Sequence, residues 1–460
     1  MPEKNDLNWK PDLSGRKGTI SEKLISQLKE DIKNGVLLPG TKLPPQRDLA
    51  AFLGINTSTV SRAFKKCEEE GLLSSTVGSG TFVDYGALHP EYMRAREEAG
   101  RTIDLGVLAP STINTGILSD ALKEMASEGS HSELFGYRIE DSSGMWHREA
   151  ALRLLARIGF QADPGSIFFS AGGQNALAAV LLSLFRPGDS LGTDPLVFPG
   201  LRSAAALLGI RLIPISTAKG EFTEEGLLHA IKKENIKGIY VTPDIQNPTA
   251  HTMSERCKDM IAQIAAKNEL HIIEDQIFSL LLKAPVSAIA SRVPEHTIFI
   301  ASISKSISPG LRTAYISAPE KYRSRLDNAL SNINVSVSPI TLELSSRIIA
   351  GEHLDPLLDS VRAKNRARNL YVNKILKGYE LHGLPECPFK WCVLDPRIDA
   401  KKLEDDLRRD HVHINSSSKF AVGNIKPAPA IRLCSCAPGT DEELVTALKK
   451  VKEHVKHQLY

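Results

Sequence analysis

The chain has 460 residues, of which 42% are hydrophobic and 24% are charged, and its formal net charge is +3. This composition is ordinary for a soluble globular protein of two or three domains. No apolar run approaches the roughly 20 residues that span a bilayer. No apolar signal-peptide core follows Met1, so we expect a cytoplasmic protein with no membrane partner.

The six cysteines are scattered, and none forms a Cys-x-x-Cys pair. This spacing is typical of reduced thiols and indicates no metal site. Cys434 and Cys436 are expected to alternate along one strand, so their side chains would point to opposite faces and make a poor metal pair.

The N-terminal part of the chain is expected to form three helices after a polar, frayed leader. Thr19 and Glu22 have the spacing of a capping box, and apolar residues at helical spacing follow up to a stop at Asn34-Gly35. A second helix is predicted from Gln46 to Leu53. A third is predicted from Asn56 to Glu70, with a buried face formed by Val60, Ala63, Phe64 and Cys67.

A β-hairpin is predicted next, with strands at Leu72-Leu73 and Thr81-Phe82-Val83 around a glycine-containing turn. Helix, helix, turn, helix and hairpin is the order of a winged helix-turn-helix, whose third helix enters the major groove. Residues 1–86 carry 12 Lys/Arg and 11 Asp/Glu, so DNA binding would depend on the local placement of charge. The alternative is a small helical module that packs on a partner protein.

Residues 15–84 resemble the GntR-type bacterial DNA-binding domains, and four segments carry the resemblance: Pro39–Ala50, Leu53–Arg62, Glu70–Leu73 and Gly78–Phe82. The resemblance implies that Arg47 and Arg62 contact the DNA backbone or bases. It also implies that Ser58 and Thr59 face the major groove and that Gly80, in the wing tip, approaches the minor groove. An ion-paired surface residue is the alternative for Arg47.

The remainder of the chain is expected to be one α/β domain, residues 102–460, joined to the DNA-binding domain (residues 1–84) by a polar, partly helical connector, residues 85–101. Apolar runs alternate there with helical stretches, the clearest runs being 166–170, 238–242, 271–275, 297–301 and 313–317. Such alternation predicts a mostly parallel sheet with helices on both faces. Ligand-binding groups are then expected on the loops that follow the strands.

Those loops carry residues with a common chemistry. Gly172-Gly173 opens a helix and offers backbone N–H groups to an anion. Asp275 ends an apolar strand, where a carboxylate can keep a pyridinium nitrogen protonated. Lys305 follows another strand, and a lysine on a rigid loop can attack an aldehyde. Arg312, seven residues later, suits a phosphate. A solvated surface loop is the alternative for Lys305.

Residues 102–455 resemble the fold-type I aminotransferases that bind pyridoxal 5′-phosphate (PLP), which implies a smaller C-terminal α+β subdomain after the large one. The resemblance implies that Lys305 carries the PLP aldimine, that Asp275 pairs with the ring nitrogen and that Asn247 bonds the 3-oxygen. It assigns the phosphate of PLP to Gly173, Gln174, Ser302 and Arg312.

Three further roles follow from the same resemblance. Phe198 stands where an aromatic ring stacks on PLP, and Arg432 matches the arginine that grips the α-carboxylate of an amino acid. An ordinary arginine on an edge strand is the alternative for Arg432. Tyr137 is a candidate for a phosphate contact donated by a partner subunit, and a buried structural tyrosine is the alternative.

The chain departs from the aminotransferase pattern at several positions. Phe278 replaces the tyrosine that also bonds the 3-oxygen, and Ala250 replaces the glycine of Asn-Pro-Thr-Gly. Pro388–Trp391 stands where a Gly-Gly usually precedes the tryptophan segment of the small domain. These departures keep the PLP-binding residues but remove a hydrogen-bond donor to the ring, so we expect sensing rather than efficient transamination.

A GntR-type domain followed by an aminotransferase-like domain is the layout of the MocR/GabR-type transcriptional regulators, which this chain resembles over nearly its whole length. The resemblance implies a homodimer that binds PLP and an operator of double-stranded DNA with two half-sites. In that hypothesis, a small amine or amino-acid effector reacts with the Lys305 aldimine, and Arg432 holds its carboxylate. Three alternatives stay open: a sensor of PLP itself, an active aminotransferase with a DNA-binding appendage, and a dimerising scaffold that retains no cofactor.

Overall fold

The computed structural model describes residues 7–33, 36–37, 41–76, 80–84, 102–111, 113–127, 132–136, 142–423 and 425–459. The expected stop at Asn34-Gly35, the connector 85–101 and Tyr137 lie outside these ranges. The N-terminal elements are α1 (Ile20–Lys33), α2 (Gln46–Leu53), α3 (Thr57–Glu69), β1 (Leu73–Thr76) and β2 (Gly80–Val83).

The capping and burial predicted for the N-terminal helices are confirmed. The Thr19 N–H donates to Glu22 Oε2 at 2.8 Å, and the Glu22 N–H donates back to Thr19 Oγ1 at 3.3 Å. The Asn56 side chain caps α3 through the Ser58 N–H. The buried residues of α3 are Val60, Ala63, Phe64 and Cys67, as its periodicity predicts. The first hairpin strand lies later than expected, because Leu72 precedes it.

The expectation of a frayed leader is wrong from residue 8 onward. Trp9 is buried in the core of the winged helix, and its indole N–H donates to Asp31 at 2.8 Å. The Asn8 amide donates to the Lys42 carbonyl at 2.6 Å, and Arg16 donates to Gln27 at 2.9 Å. One large apolar side chain, with a buried partner for its N–H, is enough to fix an otherwise polar stretch.

The large domain contains one seven-stranded sheet in the order β4-β12-β11-β10-β9-β5-β6, in which β12 alone is antiparallel. Its strands are β4 (Ile167–Ser170), β5 (Ser190–Thr193), β6 (Arg211–Pro214), β9 (Ile236–Val241), β10 (His271–Asp275), β11 (Thr297–Ser302) and β12 (Ala314–Ser317). The two-residue strands β7 (Thr217–Ala218) and β8 (Glu221–Phe222) form a separate hairpin.

Helices cover both faces of this sheet, as the alternation predicts. They are α4 (Thr115–Ser127), α5 (Ser142–Arg157), α6 (Gly173–Leu184), α7 (Pro199–Leu207), α8 (Glu224–Glu234), α9 (Glu255–Lys267), α10 (Arg323–Asn334) and α11 (Pro339–Ala350). Ile298 and Ile300 of β11 pack with α6 on one face, whereas Phe299 and Ala301 pack with α5 and α11 on the other. Successive side chains of a strand point to opposite faces, and both faces here are apolar.

The smaller subdomain packs three helices, α12 (Leu354–Ile375), α13 (Ala400–Arg409) and α14 (Asp441–Leu459), with a four-stranded antiparallel sheet. The sheet has the order β13-β14-β17-β16, with β13 (Glu380–His382), β14 (Lys390–Val393), β16 (Asn415–Ser416) and β17 (Ala430–Leu433). A separate parallel pair joins β3 (Ile103–Asp104) to β15 (Val412–His413). Within the described ranges, no helix has the length and apolar character needed to cross a bilayer.

The prediction that Cys434 and Cys436 alternate along a strand is wrong. Strand β17 ends at Leu433, and both cysteines follow it. Their side chains lie in one apolar cluster together with Cys387 and Phe389. Burial raises the pKa of Cys434 to about 12 and that of Cys436 to about 11, so these thiols stay protonated at neutral pH.

Candidate functional site

The candidate site lies at the edge of the seven-stranded sheet where its parallel strands end. β10 ends at Asp275, and the neighbouring β11 ends at Ser302. The antiparallel β12 pairs its first residue, Ala314, with Ser302 on one side and with Ser170 on the other. Because β12 runs in the opposite direction, Arg312, which precedes it, lies at the same edge as the residues that follow the parallel strands.

Asp275 is a buried carboxylate with one oxygen that lacks a partner. Its Oδ2 accepts a 2.7 Å hydrogen bond from the Tyr240 hydroxyl on β9, whereas Oδ1 has no partner among the described residues. Burial raises the pKa of Asp275 to about 7; the Tyr240 hydroxyl lowers it and nearby Asp244 raises it. Sequence reasoning missed Tyr240, because it lies inside an apolar run and meets Asp275 only through strand pairing.

A glycine cradle and Arg312 lie together at the N-terminus of α6. Gly172 caps this helix with a φ of 93°, and a Cβ atom on Gly172 would lie 2.5 Å from Arg312 Nη2. Arg312 donates to the Ala171 carbonyl at 3.1 Å, and Gly173 lies near the Ser302 side chain. Backbone N–H groups, a hydroxyl and a guanidinium at a helix N-terminus are suited to a phosphate.

Gln174 and Phe198 meet beside Gly200, at the start of α7. The Gln174 Nε2 donates to the Gly200 carbonyl at 2.9 Å, and its buried Oε1 has no partner within the described ranges. The half-buried Phe198 ring fills the space that a side chain at Gly200 would need. The structure therefore brings the proposed stacking ring next to a residue of the proposed phosphate site.

Lys305 lies in the turn after β11 and is partly buried, unlike the solvated loop that was its alternative. Its Nζ donates to the Leu108 carbonyl at 2.8 Å. Burial lowers the pKa of Lys305, and the Arg432 and Arg312 charges lower it further. A lowered pKa increases the fraction of neutral amine, which is the nucleophilic form.

Arg432 is buried and connects three parts of the domain. Its Nη1 donates to Asn247 Oδ1 at 2.7 Å, and its Nη2 donates to the Gly106 carbonyl at 2.6 Å. Its guanidinium lies 4.9 Å from the Phe420 ring centre and 5.8 Å from that of Phe389. The Nε atom is buried without a partner among the described residues. Strand β17 lies between β14 and β16, so the edge-strand alternative for Arg432 is wrong.

Arg432 also orients the amide of Asn247. Since Asn247 Oδ1 accepts from Arg432, the Nδ2 group of the same amide is the part that remains available as a donor. Ala250, in the same loop, has a φ of 58°, a conformation that favours glycine. Phe278 is fully buried and packs edge-to-face on Phe389 at 5.7 Å, so its ring lies in an apolar cluster.

The residues expected to contact DNA lie on the surface of the winged helix. Arg47, Ser58, Arg62 and Gly80 are exposed, and Thr59 is half-buried. Neither Arg47 nor Arg62 has an ion-pair partner within the part of the chain that the structure describes, so the ion-paired alternative for Arg47 is not supported.

A lysine that sequence reasoning missed lies beside the wing. A Cβ atom on Gly80 would be 2.8 Å from Lys42 Cε, and Lys42 forms a β-bridge with Phe82 of the hairpin. A cation beside the wing adds to the positive surface that a DNA backbone attracts.

Comparison with known proteins assigns both halves of the chain. Residues 102–451 match the family model "Aminotransferase class I and II", and residues 20–83 match "Bacterial regulatory proteins, gntR family". The HTH-type transcriptional regulator YdeF of Bacillus subtilis is 42% identical over 446 residues, covering 97% of this chain and 96% of that protein. The HTH-type pyridoxine biosynthesis transcriptional regulator PdxR of Corynebacterium glutamicum is 25% identical over 362 residues, covering 77% of both proteins.

An archaeal alanine:glyoxylate aminotransferase of known structure covers 85% of this chain and 98% of its own, with a TM-score of 0.72 and 19% identity. The TM-score shows a shared fold, and at 19% identity the likeness shows the fold alone. Class I and II aminotransferases use PLP, and a GntR domain binds DNA. The chain therefore belongs to the MocR-type transcriptional regulators, in which a GntR-family winged helix-turn-helix precedes an aminotransferase class I and II domain.

Proposed function

We propose that this regulator binds PLP at Lys305 and changes its affinity for operator DNA when a small amine or amino acid binds at that site. Residues 1–84 would bind DNA, and residues 102–460 would bind the cofactor and dimerise. Residues 85–101 would connect these two domains. The observation that carries the proposal is the buried Asp275 Oδ1, which has no partner in the described part of the chain and lies at the same sheet edge as Lys305.

The residues at this edge fit PLP. Asp275 Oδ1 would accept a hydrogen bond from the protonated ring nitrogen of PLP, and the amide of Asn247 would donate to the 3-oxygen. The Arg312 guanidinium lies directly against Gly172, where a Cβ atom would be 2.5 Å from Nη2, so a phosphate at this helix N-terminus would meet a positive charge. When bound, PLP supplies an aldehyde that reacts with amines and a ring that withdraws electrons.

Four side chains of the protein would then have separate roles at this site. Lys305, whose pKa is lowered by burial, supplies a neutral amine. Asp275 holds the proton on the ring nitrogen, and Tyr240 keeps that carboxylate in place. The buried Arg432 Nε–H has no partner among the described residues, so it can donate to the carboxylate of an amino acid while the surrounding aromatic rings exclude water.

A homodimer would place two winged helices on two half-sites. The large domain exposes bulky apolar side chains that a second copy could cover: Phe135 is 79% exposed, Met145 is 65% exposed and Val335 is 61% exposed. Exposed apolar side chains mark an association surface where they form one contiguous patch.

A second candidate is a sensor of PLP itself, in which occupancy is the signal. Phe278 favours it, because an apolar ring in that buried cluster gives PLP no hydroxyl donor, which weakens the case for chemistry on an effector. The name of PdxR refers to pyridoxine biosynthesis, and a related signal here would agree with this candidate.

The test is the cofactor absorbance of the purified full-length protein in the near-ultraviolet and visible range. Wild type should show a band that Lys305→Ala lacks. Lys390→Ala is the matched control, since Lys390 also donates to a backbone carbonyl, that of Gly383, and its pKa is also lowered by burial. The control should keep the band. No band in wild type, even with added PLP, would refute the proposal and leave a DNA-binding scaffold.

Amino acids and operator DNA then separate the candidates. A spectral change with an amino acid, accompanied by a change in operator affinity, supports the effector-responsive regulator. A change in operator affinity with PLP alone supports the PLP sensor. Turnover with an amino donor and a keto acid would instead support an active aminotransferase.

A further inference from the structure

Residues 103–109, named here the transmission segment, follow the connector in the chain and lead into the candidate site. Strand β3, at its start, pairs in parallel with β15 of the small subdomain. The pairing is extended by backbone hydrogen bonds from Ile103 to His411 at 2.8 Å and from Leu105 to His413 at 2.7 Å. The Cys434 N–H, just after β17, donates to the Leu105 carbonyl at 2.8 Å. The small subdomain thus holds the first half of the segment.

The Asp104 carboxylate fixes the turn in the middle of the segment. Its Oδ1 accepts from the Gly106 N–H at 2.6 Å, from the Val107 N–H at 3.0 Å and from His413 Nδ1 at 2.9 Å. A Cβ atom on Gly106 would lie 2.7 Å from His413 Nδ1, so the backbone passes directly against the ring. The direction of the following carbonyl groups is therefore set by Asp104.

Those carbonyls bind the two side chains that would meet a ligand. The Gly106 carbonyl accepts from Arg432 Nη2 at 2.6 Å and from the Asn415 amide at 2.8 Å. The Leu108 carbonyl accepts from Lys305 Nζ at 2.8 Å. Two residues apart in sequence, these carbonyls link the proposed cofactor lysine and the proposed effector arginine to one short piece of backbone.

We propose that the transmission segment carries the ligand state of Lys305 and Arg432 to the connector, and through it to the winged helix. The inference rests on the proposed function, in which a ligand engages these two side chains. Condensation of the neutral Lys305 amine with an aldehyde releases one water and uses both N–H hydrogens, so Nζ stops donating to Leu108. A carboxylate that accepts from both Nε and Nη2 of Arg432 would compete for the Nη2–H group that faces Gly106.

This competition is the kind of contact that coupling requires. A ligand shifts a conformational equilibrium only through contacts that differ between the two states. Here the differing contacts lie on the stretch of chain that leads back to the DNA-binding domain. Allosteric coupling in proteins changes affinity by about 5- to 150-fold, so the effect is large enough to measure as an operator affinity ratio.

Asp104→Ala removes the turn without touching Lys305 or Arg432. Asp163→Ala is the matched control, because Asp163-Pro-Gly165 has the same arrangement, with Asp163 Oδ1 accepting from the Gly165 N–H at 2.7 Å on the exposed approach to β4. Operator affinity would be measured for each full-length protein on a fragment selected from random DNA by wild type. The affinity of each protein is measured without ligand, with PLP, and with PLP plus each common amino acid.

Wild type and Asp163→Ala should show an affinity ratio of about fivefold or more between the ligand states. Asp104→Ala should keep the PLP absorbance and the affinity measured without ligand, but its ratio should fall below about twofold. Gly106→Ala, which pushes the backbone away from His413, should act in the same direction. A full wild-type ratio in Asp104→Ala would overturn the transmission role.

Backbone hydrogen exchange provides a readout that needs no variant. Peptides covering residues 103–111 of wild type should exchange at a different rate with PLP than without it, whereas the peptide around Asp163 should not change. Equal exchange in both states would overturn the proposal, even if Asp104→Ala failed to fold. A wild-type protein that takes up PLP but shows no ligand-dependent operator affinity would refute the proposed function, and the exchange result would then show only whether the segment responds to PLP.

Discussion

Replacing Tyr240 with Phe tests whether Asp275 holds PLP. The Tyr240 hydroxyl donates to Asp275 Oδ2 at 2.7 Å in the interior, and its loss leaves both carboxylate oxygens without a partner among the described residues. A hydrogen bond to a charged group contributes about 1.5–3 kcal/mol. We expect Tyr240→Phe to weaken PLP binding by about 10- to 150-fold at mildly alkaline pH, because about 1.4 kcal/mol corresponds to tenfold.

PLP binding through Asp275 should also depend on pH. Burial raises the pKa of Asp275 from 3.8 to about 7, and only the ionised carboxylate pairs with a protonated ring nitrogen. Wild-type affinity should therefore rise as the pH increases through about 7. In Tyr240→Phe a donor to the charged form is lost, so the pKa of Asp275 moves higher and the rise occurs at higher pH. Without ligand, Asp275 disfavours folding progressively as the pH increases from 3.8 to about 7.

The assay is a PLP titration of ligand-free protein, followed by absorbance, on either side of the Asp275 pKa. Tyr315→Phe is the matched control, since the Tyr315 hydroxyl is equally buried on β12 and has no partner within the described ranges. Removing an unpartnered hydroxyl should leave PLP affinity nearly unchanged. Equal PLP affinities for the two variants, at both low and high pH, would refute the role assigned to Asp275.

Phe278→Tyr should lower the free energy of unfolding by about 1–3 kcal/mol without PLP, because its hydroxyl would be buried unpaired, and PLP should restore the loss. Melting temperatures with and without PLP measure both effects, and an equal loss of stability in the two conditions would contradict a hydrogen bond from the new hydroxyl to PLP. Gly172→Ala should weaken PLP binding by about tenfold or more, because strain at a φ of 93° adds to contact with Arg312. Gly188→Ala, at a φ of 94° with open space around it, should bind PLP like wild type. Arg62→Ala should weaken operator binding and reduce the slope of log affinity against log salt concentration by about 1, because one phosphate contact is lost. Filter binding at several salt concentrations measures this slope, and an unchanged slope would contradict a phosphate contact by Arg62.

Local patterns predicted the local structure well. The bounds of α2 match the expected Gln46–Leu53, and the buried face of α3 matches its apolar spacing, because helical periodicity is written in neighbouring residues. The run 271–275 coincides with β10 for the same reason. The mostly parallel sheet also followed, but the antiparallel direction of β12 did not, since a buried apolar run reads the same in either direction.

The missed features share a different physical origin. Trp9 is one apolar residue in a polar leader, and only its contact with Asp31, 22 residues away, reveals its role. Tyr240 meets Asp275 across two paired strands, 35 residues apart. Neither contact leaves a periodic signal. Cys434 and Cys436 were misassigned because the end of β17 is decided by the turn that leads away from it, and strand ends are poorly encoded by composition.

The same limit applies to the proposed link between the two domains. Lys305 and Arg432 are recognisable from motifs, but the hydrogen bonds that we propose to matter for regulation join them to carbonyls 197 and 326 residues away. Backbone carbonyls carry no side-chain signature, so no motif can show that Gly106 and Leu108 are the acceptors. An aminotransferase needs its lysine for the cofactor and its arginine for the substrate, whereas a regulator also needs them to contact a segment whose conformation can change. The transmission segment meets that need, because it contacts both residues and continues into the connector to the DNA-binding domain.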